Sequence, residues 1–175
     1  MSAHPSEEEV LLRTQRFDVV RLEQVTRTGE VRFREVIRHP GSAVILPLVD
    51  ENTVCLIRNY RPALGQSLIE LPAGTLQRGE DPLVAAQREL IEETGFRPQR
   101  LQRLQSFYST PGILDEQMTL FLATGLTPGD PEREVGETIE NVVVSWQAAM
   151  EMVLSGQIRD AKTMAGLLYY DRAFR

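Results

Sequence analysis

The segment Asp81-Pro82-Leu83-Val84-Ala85-Ala86-Gln87-Arg88-Glu89-Leu90-Ile91-Glu92-Glu93-Thr94-Gly95 carries its own start and its own stop. Asp81 is a side-chain acceptor for the first free amides of a helix, and Pro82 suits the first helical position because it has no amide to satisfy. Gly95 closes the segment at the place where a left-handed residue ends helices. Leu83, Ala86 and Leu90, with Ala85 beside them, recur at helical spacing and mark one apolar face. The polar side of this helix is built against the usual rules. Glu89, Glu92 and Glu93 stand at i, i+3 and i+4, so like charges crowd within one turn. They also sit in the last turns, where the negative end of the helix dipole disfavours anions.

Two ordinary explanations exist for such a cluster: a solvated acidic face, or an i, i+4 pair between Arg88 and Glu92. The functional one is that a divalent cation lies among the carboxylates and converts their repulsion into coordination. Mg²⁺ prefers hard oxygen ligands and keeps several waters, which suits polarising a phosphoryl group and activating water.

The rest of the chain supplies a frame for that helix. Apolar and polar residues alternate over Phe17–Val25 and Val31–Arg38 around the turn-rich Thr26-Arg27-Thr28-Gly29-Glu30, which predicts an antiparallel hairpin. Ser42–Val49 and Thr53–Tyr60 are dense apolar runs, as expected of central strands buried on both faces. Further strands are predicted at Ser67–Leu71, Arg100–Tyr108, Gln117–Ala123 and Thr138–Trp146, and helices at Gln147–Leu154 and Asp160–Arg172. The expected class is α+β, a mixed sheet flanked by helices. Residues 1–15 are expected to form a flexible tail and 16–175 a single domain.

At 175 residues and 42% apolar composition, the chain has enough material for one real core. Its net charge of −6 argues against a general nucleic-acid binder, although cations can bridge an acidic protein to a phosphate. The one cysteine, Cys55, lies in Thr53-Val54-Cys55-Leu56-Ile57 and reads as core. No apolar run approaches membrane-spanning length and no leader-like apolar region opens the sequence, so a cytoplasmic location with no membrane partner is expected. His4 and His39 have no companions at ligand spacing and read as structural.

The segment Gly74–Phe96 resembles the signature box of the Nudix hydrolases. Gly74, Glu80, Arg88, Glu89, Leu90, Glu92, Glu93, Gly95 and Phe96 fill its nine fixed places within 23 residues. The resemblance implies an α/β/α sandwich with a mixed sheet. It also implies that Glu89 and Glu93 bind metal together with the Ala73 carbonyl, that Glu92 is a further ligand or water-activating residue, that Arg88 orients the carboxylates and that Glu80 ties the loop down.

Flanking features resemble the ADP-ribose pyrophosphatase branch. They are Arg58-Asn59-Tyr60-Arg61-Pro62 before Glu70-Leu71-Pro72-Ala73-Gly74, and Pro111 in Ser109-Thr110-Pro111-Gly112, 16 residues past Gly95. Asp115, Glu116 and Glu137 are the third feature. What this implies is Mg²⁺-dependent, or alternatively Mn²⁺-dependent, cleavage of a nucleoside-diphosphate-sugar such as ADP-ribose. Arg61 would meet a phosphate, Glu70 and Glu116 would bind substrate, and the general base is open between Glu137, Glu134 and Glu92. Arg34 and Glu35, with Phe17 and Phe33, are candidates for adenine and cross-subunit contacts, since related enzymes exchange N-terminal strands in a homodimer. Hydrolysis of GDP-mannose or ADP-glucose, or catalysis-free sensing of ADP-ribose, are the alternatives.

Overall fold

The computed structural model of the chain describes residues 8–133, 136 and 138–175. Strands β1 (Glu8–Arg13), β2 (Asp18–Val25) and β3 (Val31–Arg38) form one antiparallel sheet in the order β1-β2-β3. The predicted hairpin is β2–β3, registered from Asp18↔Arg38 to Val25↔Val31. The expected flexible tail is a strand from Glu8 onward. Its backbone pairs with β2, and Arg21 and Arg38 hold Glu9 and Glu8. Two acidic residues that read as tail are therefore cross-strand ion-pair partners.

The second sheet is mixed. β4 (Ser42–Asp50), β5 (Thr53–Arg61), β8 (Arg100–Tyr108), β9 (Gln117–Thr124) and β10 (Ile139–Ser145) run in the order β10-β5-β4-β9-β8. Two short strands, β6 (Gln66–Glu70) and β7 (Ala73–Thr75), pair with β5 and β4. Only β4–β9 is parallel among these pairings. β7 lies where the sequence predicts a break: Pro72 ends β6, and the chain turns directly into pairing with Val44, Ala43 and Ser42.

Helices cover both faces of this sheet. Ala43 and Ile45 of β4 pack with Ala85, Ala86 and Leu90 of α1 (Pro82–Thr94), while Val44, Leu46 and Leu48 point the other way. That second face meets Trp146, Ala149 and Val153 of α2 (Trp146–Leu154) and Leu167 of α3 (Ala161–Phe174). Alternate side chains of one strand thus feed two cores, which is why β4 is buried from Ser42 to Leu48. Truncating Leu90, fully enclosed on the α1 side, would cost roughly 2–5 kcal/mol. The layers are helix, sheet, helix, as expected from sequence. Among the described residues no helix is long and apolar enough to cross a membrane.

Candidate active site

The caps of α1 are the ones its sequence announces. The Asp81 side chain accepts from the Leu83 amide, Pro82 opens the first turn, and Gly95 closes the helix at φ 80°. A Cβ at Gly95 would stand 2.2 Å from the Gly129 carbonyl oxygen, so the loop after β9 also needs glycine there. No basic residue lies in the last turn. Distant groups meet the orphan carbonyls instead: Arg133 Nε donates to Glu93 O at 3.1 Å, and Asn141 Nδ2 donates to Thr94 O at 2.8 Å.

The clustered acids are divided among specific partners. Arg88 forks onto Glu80 with Nε–Oε1 and Nη2–Oε2 both at 3.1 Å. Its Nη1 donates to Glu89 at 2.6 Å and to Glu92 at 2.9 Å. Hydrogen bonding to these carboxylates raises the Arg88 pKa, with Glu80 the largest contributor, and Arg88 in turn holds the Glu80 carboxyl below its ordinary range. The i, i+4 pair considered from sequence therefore exists, but as one arm of a cation serving three acids. Glu93 is buried, and its Oε2 accepts the Ala73 amide at 2.9 Å. The Glu89 carboxylate lies against the bare Cα of Gly74, where a Cβ would come within 1.9 Å of it.

Arg88, Glu89, Glu92 and Glu93 line one cleft of about 480 Å³, together with Arg16, Asn59, Arg61 and Arg78. A second cleft of about 370 Å³ holds Ser42, Glu70, Glu116, Asp160 and Lys162. Arg61, Ala73, Gly74 and Thr75 line both, so β7 forms a shared wall between two adjoining hollows. Hollows of this size accommodate small ligands.

Arg61 and Glu70, expected among the substrate-binding residues, meet each other. Arg61 Nε donates to Glu70 Oε1 at 2.7 Å and Nη2 to Oε2 at 2.5 Å, a two-point pair. The Glu70 side chain is 1% exposed and Arg61 is 40% exposed, so the pair presents the arginine and hides the acid. Burial pushes the Glu70 pKa up, but the bonds from Arg61 and Lys162 outweigh it and hold the carboxyl below its ordinary value. Both Glu70 oxygens accept bonds inside the protein, from Arg61 and Lys162, while the residue lines the second cleft.

Glu116 lies in the second cleft, accepting from the Ser42 hydroxyl and from Ser109 Oγ at 3.1 Å. His39, read as structural, has Nδ1 3.7 Å from Glu116 and accepts the Gly41 amide on that nitrogen at 3.1 Å. Asp115 turns away to Arg38 and the His39 amide. Arg34 and Glu35 stay on the exposed N-terminal sheet, bonded to Gln24 and Arg21, and line neither cleft. Glu137 and Glu134 lie outside the described residues.

The sequence reading missed Lys162, Asp160, Thr163, Arg16 and Arg133. One signal for Lys162 was present: a cation two residues after the helix cap Asp160 stands at the end where the helix dipole disfavours positive charge.

The donor set suits a hard divalent cation. Among the described residues no three acid, imidazole or thiol groups converge into a closed cage. Mg²⁺ does not require one, because it is typically held by one or two carboxylates with waters and substrate phosphates completing its shell. The glycine cradle beside Glu89 leaves room on the cleft side that any larger residue would fill.

With that geometry established, comparison with known proteins is specific. A NUDIX domain model matches residues 38–167. The chain is 36% identical over 143 residues to an ADP-ribose pyrophosphatase of Bacillus subtilis (strain 168), covering 81% of this chain and 77% of that protein. It is 34% identical over 171 residues to a GDP-mannose pyrophosphatase of Cronobacter sakazakii (strain ATCC BAA-894), covering 91% and 86%. Among solved structures, one described as an ADP compounds hydrolase superposes with a TM-score of 0.82 at 22% identity, covering 98% of this chain and 95% of that one, and so shares its fold.

Proposed function

The chain belongs to the NUDIX family, and from that premise we propose that it hydrolyses the pyrophosphate bond of a nucleoside-diphosphate-sugar, with ADP-ribose as the leading substrate. The observation that carries this reading is the seating of Glu89 against Gly74 and of Glu93 on the Ala73 amide, at the wall shared by two clefts. Mg²⁺, with Mn²⁺ as the alternative, would supply phosphoryl charge neutralisation and an acidified water when bound.

The chain's own residues do the rest. Glu89 and Glu93, with the Ala73 carbonyl, would hold the cation. Arg88 holds the carboxylates of Glu89 and Glu92 on one guanidinium nitrogen and so fixes their placement. Arg61 would meet the diphosphate with the part of its guanidinium that Glu70 leaves over. Glu116, in the adjoining cleft, would accept hydroxyls of the terminal ribose. The proton of the attacking water would go to Glu92, Glu134 or Glu137. From ADP-ribose the products are AMP and ribose 5-phosphate.

A second reading has its own support. Identity to the GDP-mannose pyrophosphatase extends over more of the chain than identity to the ADP-ribose enzyme does. Product identification across ADP-ribose, ADP-glucose and GDP-mannose, with and without EDTA, separates the two. Turnover confined to GDP-mannose would replace the leading substrate, and EDTA-resistant turnover would remove the metal from the reading.

We further propose a homodimer through the N-terminal sheet, supported by its exposed apolar side chains Val10, Leu12, Val31 and Phe33. A monomeric mass in solution would exclude it. Cytoplasmic residence is proposed in the same way, supported by a lone buried thiol.

A further inference from the structure

Lys162 is the second residue of α3, two positions after the cap Asp160, and its side chain is 8% exposed. An ammonium there is at the unfavourable end of the helix dipole and shielded from water, two costs that require specific compensation. The compensation lies on another element. Lys162 Nζ donates to Glu70 Oε2, 92 residues earlier, and to Asp160 Oδ2 at 2.9 Å. Arg61 and Lys162 thus face Glu70 and Asp160, two cations against two anions.

The same turn of α3 also holds the backbone. Thr163 is fully buried, and its Oγ1 accepts the Leu71 amide at 2.7 Å while donating to Asp160 Oδ2. Glu70 and Leu71 are therefore tied side by side to the start of α3. Two residues further along, Ala73 donates its amide to Glu93, and Gly74 seats Glu89. One continuous stretch, 70–74, joins α3 to the carboxylates of α1.

We propose that Lys162 is a positioning residue for the reaction. It keeps Glu70 charged and fixed, so that Glu70 holds one edge of the Arg61 guanidinium and leaves the Nη1 donors for the substrate diphosphate. With Thr163 it anchors the segment that carries Ala73 and Gly74. Without its charge the cluster carries a net negative charge beside the place where a polyanion must bind. This inference rests on the proposed hydrolysis for its kinetic consequences, but not for its mechanical ones.

The test uses the full chain with Lys162→Met, Lys162→Gln and Lys162→Arg. Steady-state kinetics on ADP-ribose with Mg²⁺ are read beside site-resolved amide exchange over 71–74. Losing a charge-assisted bond at Arg61's partner should raise KM about tenfold or more in the Met and Gln variants. Since Arg61 grips substrate and transition state alike, kcat should move by only about threefold. Arg should restore most of the loss, and exchange over 71–74 should quicken in Met and Gln with α2 unchanged.

Gln retains a donor, so it provides a folded comparison if the Met variant does not accumulate. Wild-type KM in both uncharged variants would overturn the proposal, as would a loss confined to kcat with unchanged exchange. If the unaltered protein cleaves no nucleoside-diphosphate-sugar, the proposed reaction falls by itself. Exchange over 71–74 then decides alone, and wild-type protection in both uncharged variants would overturn the anchoring of that segment by Lys162.

Discussion

Gly74 and Glu89 occupy one space: a Cβ on Gly74 would stand 1.9 Å from the Glu89 carboxyl carbon. The fixed glycine that begins the box and the acid 15 residues later are thus one steric unit. Gly74 is not at positive φ, so alanine is compatible with its backbone. Gly74→Ala should therefore leave the fold standing and push the Glu89 carboxylate aside. Turnover should drop about a hundredfold, as a misplacement near 1 Å can cause, while the melting temperature stays close to wild type. A variant with unimpaired kcat would show that the seat of Glu89 is immaterial.

One Arg88 guanidinium serves Glu80, Glu89 and Glu92. Lysine keeps the charge and loses the planar fork, so it cannot span the same acids. Arg88→Lys should lower kcat/KM roughly ten- to a hundredfold, the range for losing a residue that orients metal ligands. Mg²⁺ titrations of activity should show a weakened apparent affinity. Equal activity in the lysine variant would reduce Arg88 to a charge-balancing role.

Glu93→Gln separates charge from shape. The Gln carbonyl oxygen can still accept the Ala73 amide, so the contact between β7 and α1 survives. Only the negative charge goes. A role in holding the cation predicts a kcat loss of about a hundredfold or more that raised Mg²⁺ relieves only in part. Near wild-type kcat would remove Glu93 from the metal site.

Much of this was legible in the sequence, for a physical reason. Helix caps, apolar spacing and the Glu89–Glu93 cluster are local, and α1 came out between Asp81 and Gly95 as they require. The two-sided burial of β4 and β5 followed from unbroken apolar runs. β1 was illegible because its side chains remain exposed, so its pairing with β2 imposes no apolar alternation. β7 has three residues and sits beside Pro72, where local rules predict only a break. The Arg61–Glu70–Lys162 cluster joins residues up to about a hundred positions apart, and no spacing rule reaches that far. Glu70 shows the consequence: it was singled out by its place before Pro72-Ala73-Gly74, but its partner Lys162 could not be seen.

The same cluster sets a pH dependence. The folded Glu70 pKa lies below its ordinary 4.5, because bonds from Arg61 and Lys162 outweigh the opposing effect of burial. A depressed carboxylate contributes stability that is complete above the unfolded pKa and is lost as pH falls through the folded one. Wild-type protein should thus lose melting temperature below about pH 4.5 more steeply than Glu70→Gln, which has no charge to lose. The comparison isolates Glu70 from Glu80 and Asp50, whose carboxyls are also held low and contribute equally to both proteins. Parallel melting curves from pH 7 to 3 would show that the ion pairs add nothing in the folded state.

Cys55 gives a check on the core that is independent of catalysis. It is fully buried on β5, and burial pushes its thiol pKa up to about 12, against a weaker opposing pull from the charge of Arg133. A thiol that is neither ionised near neutral pH nor exposed reacts only when the strand opens. Its labelling by a disulfide reagent therefore measures the opening of the central sheet. In native buffer the rate should be suppressed by about a thousandfold or more relative to the denatured chain, given the stability typical of core strands. Denaturant should release one reactive thiol per chain. Cys55→Ala should cost some stability through the small void it leaves, with kcat preserved, because β5 reaches the clefts through Asn59 and Arg61 and not through position 55. Rapid, complete labelling of the folded protein would mean that β5 is not the closed central strand described above.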